Sequence, residues 1–246
     1  MTLTPAERSA ELAANLAEVR ERISLAAAAA GRAADGITLV AVTKTWPASD
    51  VRLLAALGVT DVAENRDQEA RPKHEACADL GVRWHFVGQL QRNKARSVAA
   101  YADVVESVDR PELVTALDRA AGEHGRVLDV LVQVGLADVP DGSPPAHRGG
   151  VDPREVLALA DAVAGCASLR LGGLMAVAPL GPDGGAVDPR PAFARLAALA
   201  AEVRAAHPSA TVVSAGMSGD LEEAVAAGAT HVRVGTAVLG GRAALR

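Results

Sequence analysis

Eight apolar runs of strand length recur along this chain, and segments with apolar residues at three-and-four spacing lie between them. The runs cover residues 37–44, 61–65, 83–88, 104–108, 128–135, 169–177, 211–216 and 231–238. Between them lie stretches such as PASDVRLLAAL, RPELVTALDRAAGEH, DPREVLALADAVAG and RPAFARLAALAAEVRAAH, several opening on Pro or Asp as helix starts do. Eight strand-then-helix units with short connections predict an α/β fold, a single (β/α)8 barrel of the TIM type spanning about 37–240. A doubly wound open sheet is the alternative, but the first strand lacks a Gly-rich turn after it. A long helical segment, about 4–30, precedes strand one. Only a short tail, Gly241–Arg246, follows strand eight, so this extra N-terminal helix can fill the vacant place in the outer ring.

Composition narrows the function more than the fold. Aromatic residues are 2% of the chain while apolar residues are 50%, so the core must be built from Ala, Val and Leu. A net charge of −5 with interspersed signs argues against nucleic acid or an anionic membrane as partner and favours a small molecule. Two cysteines, Cys77 and Cys166, offer neither metal spacing nor a disulfide framework, as expected of a reducing cytosol, and no two histidines have zinc-site spacing. The N-terminus lacks leader architecture and no uncharged run is long enough to span a bilayer, so a cytoplasmic protein is expected.

The chain has three lysines, Lys44, Lys73 and Lys94, and Lys44 stands where the first apolar run ends. In a barrel that position is the C-terminal mouth, where active sites lie. A partly desolvated amine there is a nucleophile suited to Schiff-base formation with a carbonyl; the plainer alternative is a solvated lysine at a strand end. After strand seven comes SAGMSGDLEEAV, and strand eight runs into RVGTAVLG. Small residues whose N–H groups and hydroxyls converge after strands seven and eight suit a phosphate. Ser218 read alone is more simply an ordinary N-cap, with Asp220 and Glu222 in the first turn. Strands one and eight are neighbours in a closed barrel, so amine and cradle together suit an aldehyde that carries a phosphate, pyridoxal phosphate being the obvious candidate. Two Gly- and Pro-rich connections, ADVPDGSPPAHRGGV and PLGPDGGAVDP, leave the same face and are either lids or plain loops.

The segments LVAVTKTWP, ENRDQEA, WHFVGQLQRNK, SVDRPEL, GLMAV and SAGMSGDLEEAVAAGATHVRVGTAVLG together resemble the pyridoxal phosphate homeostasis protein family, from about residue 37 to 240. That family shares its barrel with the N-terminal domain of alanine racemase. The resemblance implies that Lys44 holds pyridoxal phosphate as a Schiff base. It implies that Ser214 and Ser218, with the backbone of Gly216 and Met217, form the phosphate turn, and that Gly235 and Thr236 complete it. Arg233 matches the arginine that faces the pyridine nitrogen, and Asn65 the asparagine near the ring. The sequence departs from the family's usual pattern at Ala63, Arg66, Ala176 and Ala215, where glycine, tyrosine, threonine and methionine are usual. Arg66 leaves no aromatic role at its position. His85, inside an apolar strand, reads as a satisfied core residue, and no role follows from sequence for Gln89, Gln91, Asn93 or Lys94.

The resemblance implies a carrier that buffers or delivers the cofactor, to apo-enzymes among other recipients, rather than a strong catalyst. Arg233 offers no acceptor, so it would leave the pyridine nitrogen unprotonated and the ring a weak electron sink. The related racemase needs a second base, a tyrosine on a separate domain; here the one tyrosine, Tyr101, precedes strand four, toward the other end of the barrel. A racemase or lyase with an unidentified second base is the alternative, and a cofactor-free Schiff-base enzyme a third. With no subunit-pairing domain in the sequence, a monomer is expected.

Overall fold

The computed structural model describes residues 4–136, 149–179, 185 and 187–241. Strands β1 (Thr38–Val42), β2 (Asp61–Glu64), β3 (Arg83–Phe86), β4 (Val104–Val108), β5 (Leu128–Gln133), β6 (Leu169–Met175), β7 (Val212–Ser214) and β8 (His231–Val234) are parallel and close into one barrel in chain order. Closure is made by β1 against β8, from Thr38 opposite His231 to Ala41 opposite Val234. That pairing removes the open-sheet alternative, because the sheet has no free edge.

Helices α2 (Ala48–Ala56), α3 (Asp67–Ala76), α4 (Ala95–Tyr101), α5 (Pro111–Glu123), α6 (Val156–Ala164), α7 (Arg190–Ala206) and α8 (Leu221–Ala226) follow the first seven strands, and α9 (Thr236–Leu239) follows β8. The sequence placed residues 231–238 in one strand; the strand stops at Val234 and Thr236 opens a helical turn instead. Most of the other runs are one to three residues shorter than their apolar stretches. Strand one ends at Val42, so Lys44 lies in the turn beyond it.

The N-terminal helix α1 (Pro5–Ala29) starts with Pro5 and a capping box: Glu7 N–H donates to the Thr4 hydroxyl at 3.3 Å and Thr4 N–H to the Glu7 carboxylate at 2.7 Å. Leu12, Leu16, Val19 and Ile23, spaced four, three and four, are buried together with Leu221 and Val225 of α8 and Val238 and Leu239 of α9. Each such side chain contributes roughly 1.5–3 kcal/mol of transfer free energy. The extra helix therefore occupies the outer ring where α9 is too short to do so. It also reaches the loops above: Arg22 pairs with Glu222 and donates to the Ser218 carbonyl at 3.0 Å, and Asn15 donates to the Val238 carbonyl at 3.0 Å.

Two apolar layers lie between strands and helices, one on the β3–β7 side and one around β1, β8 and α1. Inside the barrel the apolar filling is small: Val104, Leu131 and Met175, with Val177 and Val212 packed on them. Val40 and Ala63 are also buried outside both layers, and polar groups share the interior with them. Buried side chains Asp61, His85, Glu106, Ser214 and Arg233 occupy it.

Candidate functional site

Lys44, Asn65, Gly216, Met217, Ser218, Gly235 and Thr236 all follow the C-terminal ends of their strands and so share one rim. The three lysines differ sharply in their surroundings. Lys73 is buried and donates to the Glu64 carboxylate at 2.5 Å and to the Thr43 carbonyl at 2.9 Å. The Lys94 amine lies 3.8 Å from Asp67. Lys44 is half-buried, and among the described residues its amine makes no hydrogen bond or ion pair. Of the three amines, that of Lys44 has no hydrogen-bond or ion-pair partner among the described residues.

The cradle is built by two turns that touch. Gly216 has φ of +89°, and a Cβ there would lie 2.7 Å from that of Ala224, so only glycine fits the turn leaving β7. The Ser218 hydroxyl accepts from Ala237 N–H at 3.2 Å, joining this turn to the one after β8. Gly235 packs on Val42, where an added Cβ would meet the valine at 3.4 Å. The β8 turn is thereby held against the strand end that leads into Lys44. The N-cap alternative for Ser218 is not what forms: α8 begins at Leu221 with Asp220 at its cap position, and the Asp220 carboxylate accepts from Met217 N–H at 2.6 Å. That N–H is therefore engaged within the turn.

Ser214 and Arg233 lie apart from the cradle, inside the barrel. The Ser214 hydroxyl donates to Glu106 at 2.6 Å and accepts from the Arg233 guanidinium at 2.6 Å. Arg233 also donates to the Ala176 carbonyl at 2.8 Å, and lies 3.6 Å from Glu106. Glu106 in turn meets His85 Nδ1 at 2.6 Å, and His85 Nε2 meets Asp61 at 2.9 Å. His85 is thus the satisfied core histidine expected, as one link in a chain of two acids and two bases. Burial disfavours its charge, but Asp61 and Glu106 more than compensate and push it up to about 9; burial likewise opposes ionisation of Glu106, and His85 pulls it down to about 2. Burial lowers Arg233, with Glu106 acting against it. Glu106 and Asp61 escaped the sequence reading, although a charged residue inside a buried apolar strand signals a partner.

Asn65, half-buried after β2, is placed by Gly88: a Cβ on Gly88 would lie 2.0 Å from the Asn65 carbonyl oxygen. The glycine of the WHFVG segment thus lets two loops cross at contact distance. Arg66 is exposed and pairs with Glu69 at 3.5 Å. Tyr101 closes α4, buried, with burial pushing its phenol up. Residues 137–148 of one candidate lid, and 180–184 and 186 of the other, lie outside the described residues. Among the described residues no helix is long and apolar enough to cross a membrane, and no three metal-ligating side chains converge.

The family described as alanine racemase, N-terminal domain, matches residues 10–243. A pyridoxal phosphate homeostasis protein of Mycobacterium bovis is 46% identical over 96% of this chain and 95% of its own length. The chain belongs to this pyridoxal phosphate homeostasis family. An Escherichia coli member is 38% identical over 94% of this chain and 97% of its own. Among solved structures, PipY of Synechococcus elongatus, a protein determined with PLP bound, superposes with a TM-score of 0.77 at 36% identity, over 93% of this chain and all of PipY. Alanine racemase from Clostridium difficile shares the fold at 14% identity, with a TM-score of 0.73 over 96% of this chain and 58% of the racemase.

Proposed function

We propose that this chain binds pyridoxal phosphate covalently and reversibly through Lys44, and that it buffers or delivers the cofactor in the cytoplasm, as a monomer, without strong catalysis of its own. The observation that carries the reading is the contact between Gly235 and Val42, which sets a glycine- and hydroxyl-lined cradle beside the strand end that leads to an unpartnered lysine. The names of its relatives and PLP binding by PipY support it.

The residues fit the cofactor's parts. Gly216, Ser218, Gly235 and Thr236 supply a turn open enough for a phosphate, and a side chain at Gly216 would collide with Ala224. Lys44 supplies the amine for the aldehyde, Asn65 the polar neighbour of the ring, and Arg233 the charge toward its nitrogen. When bound, the cofactor would supply an electrophilic carbon and an electron-withdrawing ring. Arg233 has no acceptor to offer a ring proton, and Glu106 with Ser214 balances its charge. Tyr101 ends α4 in a buried setting, so it supplies no second base at the rim. These features favour holding over turnover.

Borohydride reduction of protein incubated with pyridoxal phosphate should fix the adduct on the peptide containing Lys44, and Lys44→Ala should lose it while unfolding cooperatively. A variant that still captured the aldehyde would overturn the reading. Release to an unrelated apo-enzyme, timed against free cofactor, tests delivery; inversion or cleavage of L- or D-amino acids by the holoprotein would favour a racemase or lyase instead.

A further inference from the structure

The backbone on either side of Lys44 is gripped from outside the barrel. On one side Thr43 is fully buried; its hydroxyl donates to Glu64 at 2.6 Å, and its carbonyl accepts from the Lys73 ammonium at 2.9 Å. Lys73 and Glu64 are themselves paired at 2.5 Å. On the other side Thr45 N–H donates to the Glu69 carboxylate at 3.1 Å, and Thr45 has φ of +71°, the one non-glycine residue with positive φ among those described. A β-branched residue rarely adopts that conformation and holds it only where its surroundings insist. Lys73 and Glu69 lie four residues apart on α3 and so face the same way. One helix therefore grips both neighbours of the lysine, and Arg66 braces Glu69 from the helix start.

We propose that Glu69 and Lys73 of α3, with Glu64, are positioning residues that hold the Thr43–Lys44–Thr45 turn so that the Lys44 amine is presented to a carbonyl at the barrel mouth. This rests on the reading of Lys44 given above and adds to it a set of residues that touch no ligand. The grip acts on the rate of covalent capture and leaves the cradle alone, because Gly216, Ser218 and Gly235 belong to the β7 and β8 turns, away from α3. Misplacing a reacting group by about an ångström costs up to roughly 100-fold in rate.

Two ligands separate positioning from general damage. Pyridoxal phosphate reports capture, followed by stopped-flow absorbance. Pyridoxine 5′-phosphate keeps ring and phosphate but has an alcohol in place of the aldehyde, and its binding is measured by calorimetry. Glu69→Ala is expected to slow capture about tenfold or more and to bind the alcohol within about twofold of wild type. Glu69→Gln keeps an acceptor oxygen for Thr45 N–H and is expected to capture at close to the wild-type rate. Lys73→Met should show the same split as Glu69→Ala; if it does not unfold cooperatively, the Glu69 pair decides alone. Unchanged capture in Glu69→Ala overturns the proposal, and so does an equal loss of both ligands. Wild-type protein that captured no aldehyde would sink the reading of Lys44 itself, whereas variants that captured normally would sink only the grip.

Discussion

The Ser214 hydroxyl stands between two buried charges, accepting from Arg233 at 2.6 Å and donating to Glu106 at 2.6 Å. Ser214→Ala leaves the guanidinium and carboxylate 3.6 Å apart without their bridge, and is expected to cost about 1–3 kcal/mol in urea unfolding. Because this hydroxyl is turned into the barrel while that of Ser218 joins the two cradle turns, the two serines should separate in ligand binding. Ser218→Ala is expected to weaken pyridoxine 5′-phosphate about tenfold, the equivalent of roughly one hydrogen bond, and Ser214→Ala hardly at all. Calorimetry giving the opposite order would favour Ser214 over Ser218 as the phosphate's partner.

Gly88 has no room for a side chain. A methyl there would sit 2.0 Å from the Asn65 carbonyl oxygen and 2.7 Å from its carbon, both of them backbone. The β2 and β3 loops would have to part, so Gly88→Ala is expected to destabilise by about 1–3 kcal/mol or more through overpacking. Asn65 would move with its loop. Thermal unfolding and an amide NMR comparison of residues 63–66 check this; an unchanged Asn65 resonance would show that the loops yield elsewhere.

The barrel was legible because each strand is an apolar run and each helix has its own period, signals that need no knowledge of partners. The rim positions of Lys44, Gly216 and Ser218 were legible for the same reason: they sit where a run gives way to turn residues. What escaped was whatever depends on register across strands. Asp61, His85 and Glu106 lie more than twenty residues apart and meet only because three strands pair at a fixed offset. Thr45 and Glu69 likewise come together only when α3 packs back beside β1. The engaged Met217 N–H depends on a turn geometry that composition does not specify. The strand reading of 235–238 failed because valine-rich sequence alone does not separate a strand end from a short buried helical turn.

The His85–Glu106 pair should be visible as a pH dependence of stability. His85 is raised to about 9 in the fold from an ordinary value of 6.5, so its contribution is complete below pH 6.5 and disappears as pH rises through 9. Glu106 is lowered to about 2 from 4.5, so its contribution is complete above pH 4.5 and disappears as pH falls through 2. Both are in place between pH 4.5 and 6.5. Counted once for the pair, the alkaline loss is on the order of 3 kcal/mol. Urea titrations from pH 6 to about 9.5 should show that decline, and His85→Gln should flatten it. A wild-type protein with constant stability across that range would mean that folding leaves the histidine's proton affinity unchanged.

Thr45 offers a test in which stability and capture are expected to move in opposite directions. Its φ of +71° costs a β-branched residue about 1–3 kcal/mol, whereas glycine adopts it freely and loses up to roughly 1 kcal/mol to its greater freedom when unfolded. Thr45→Gly should therefore gain about 1 kcal/mol, a rise of roughly 2–4 °C in Tm for a chain of this size. The Glu69 bond to the backbone N–H survives the change, but the threonine no longer stiffens the turn next to Lys44. Capture of pyridoxal phosphate is expected to slow a fewfold while the alcohol analogue binds as before. A more stable variant with undiminished capture would mean that the strained turn plays no part in presenting the amine. A less stable one would mean that side-chain contacts of Thr45, rather than its backbone, hold this turn in place.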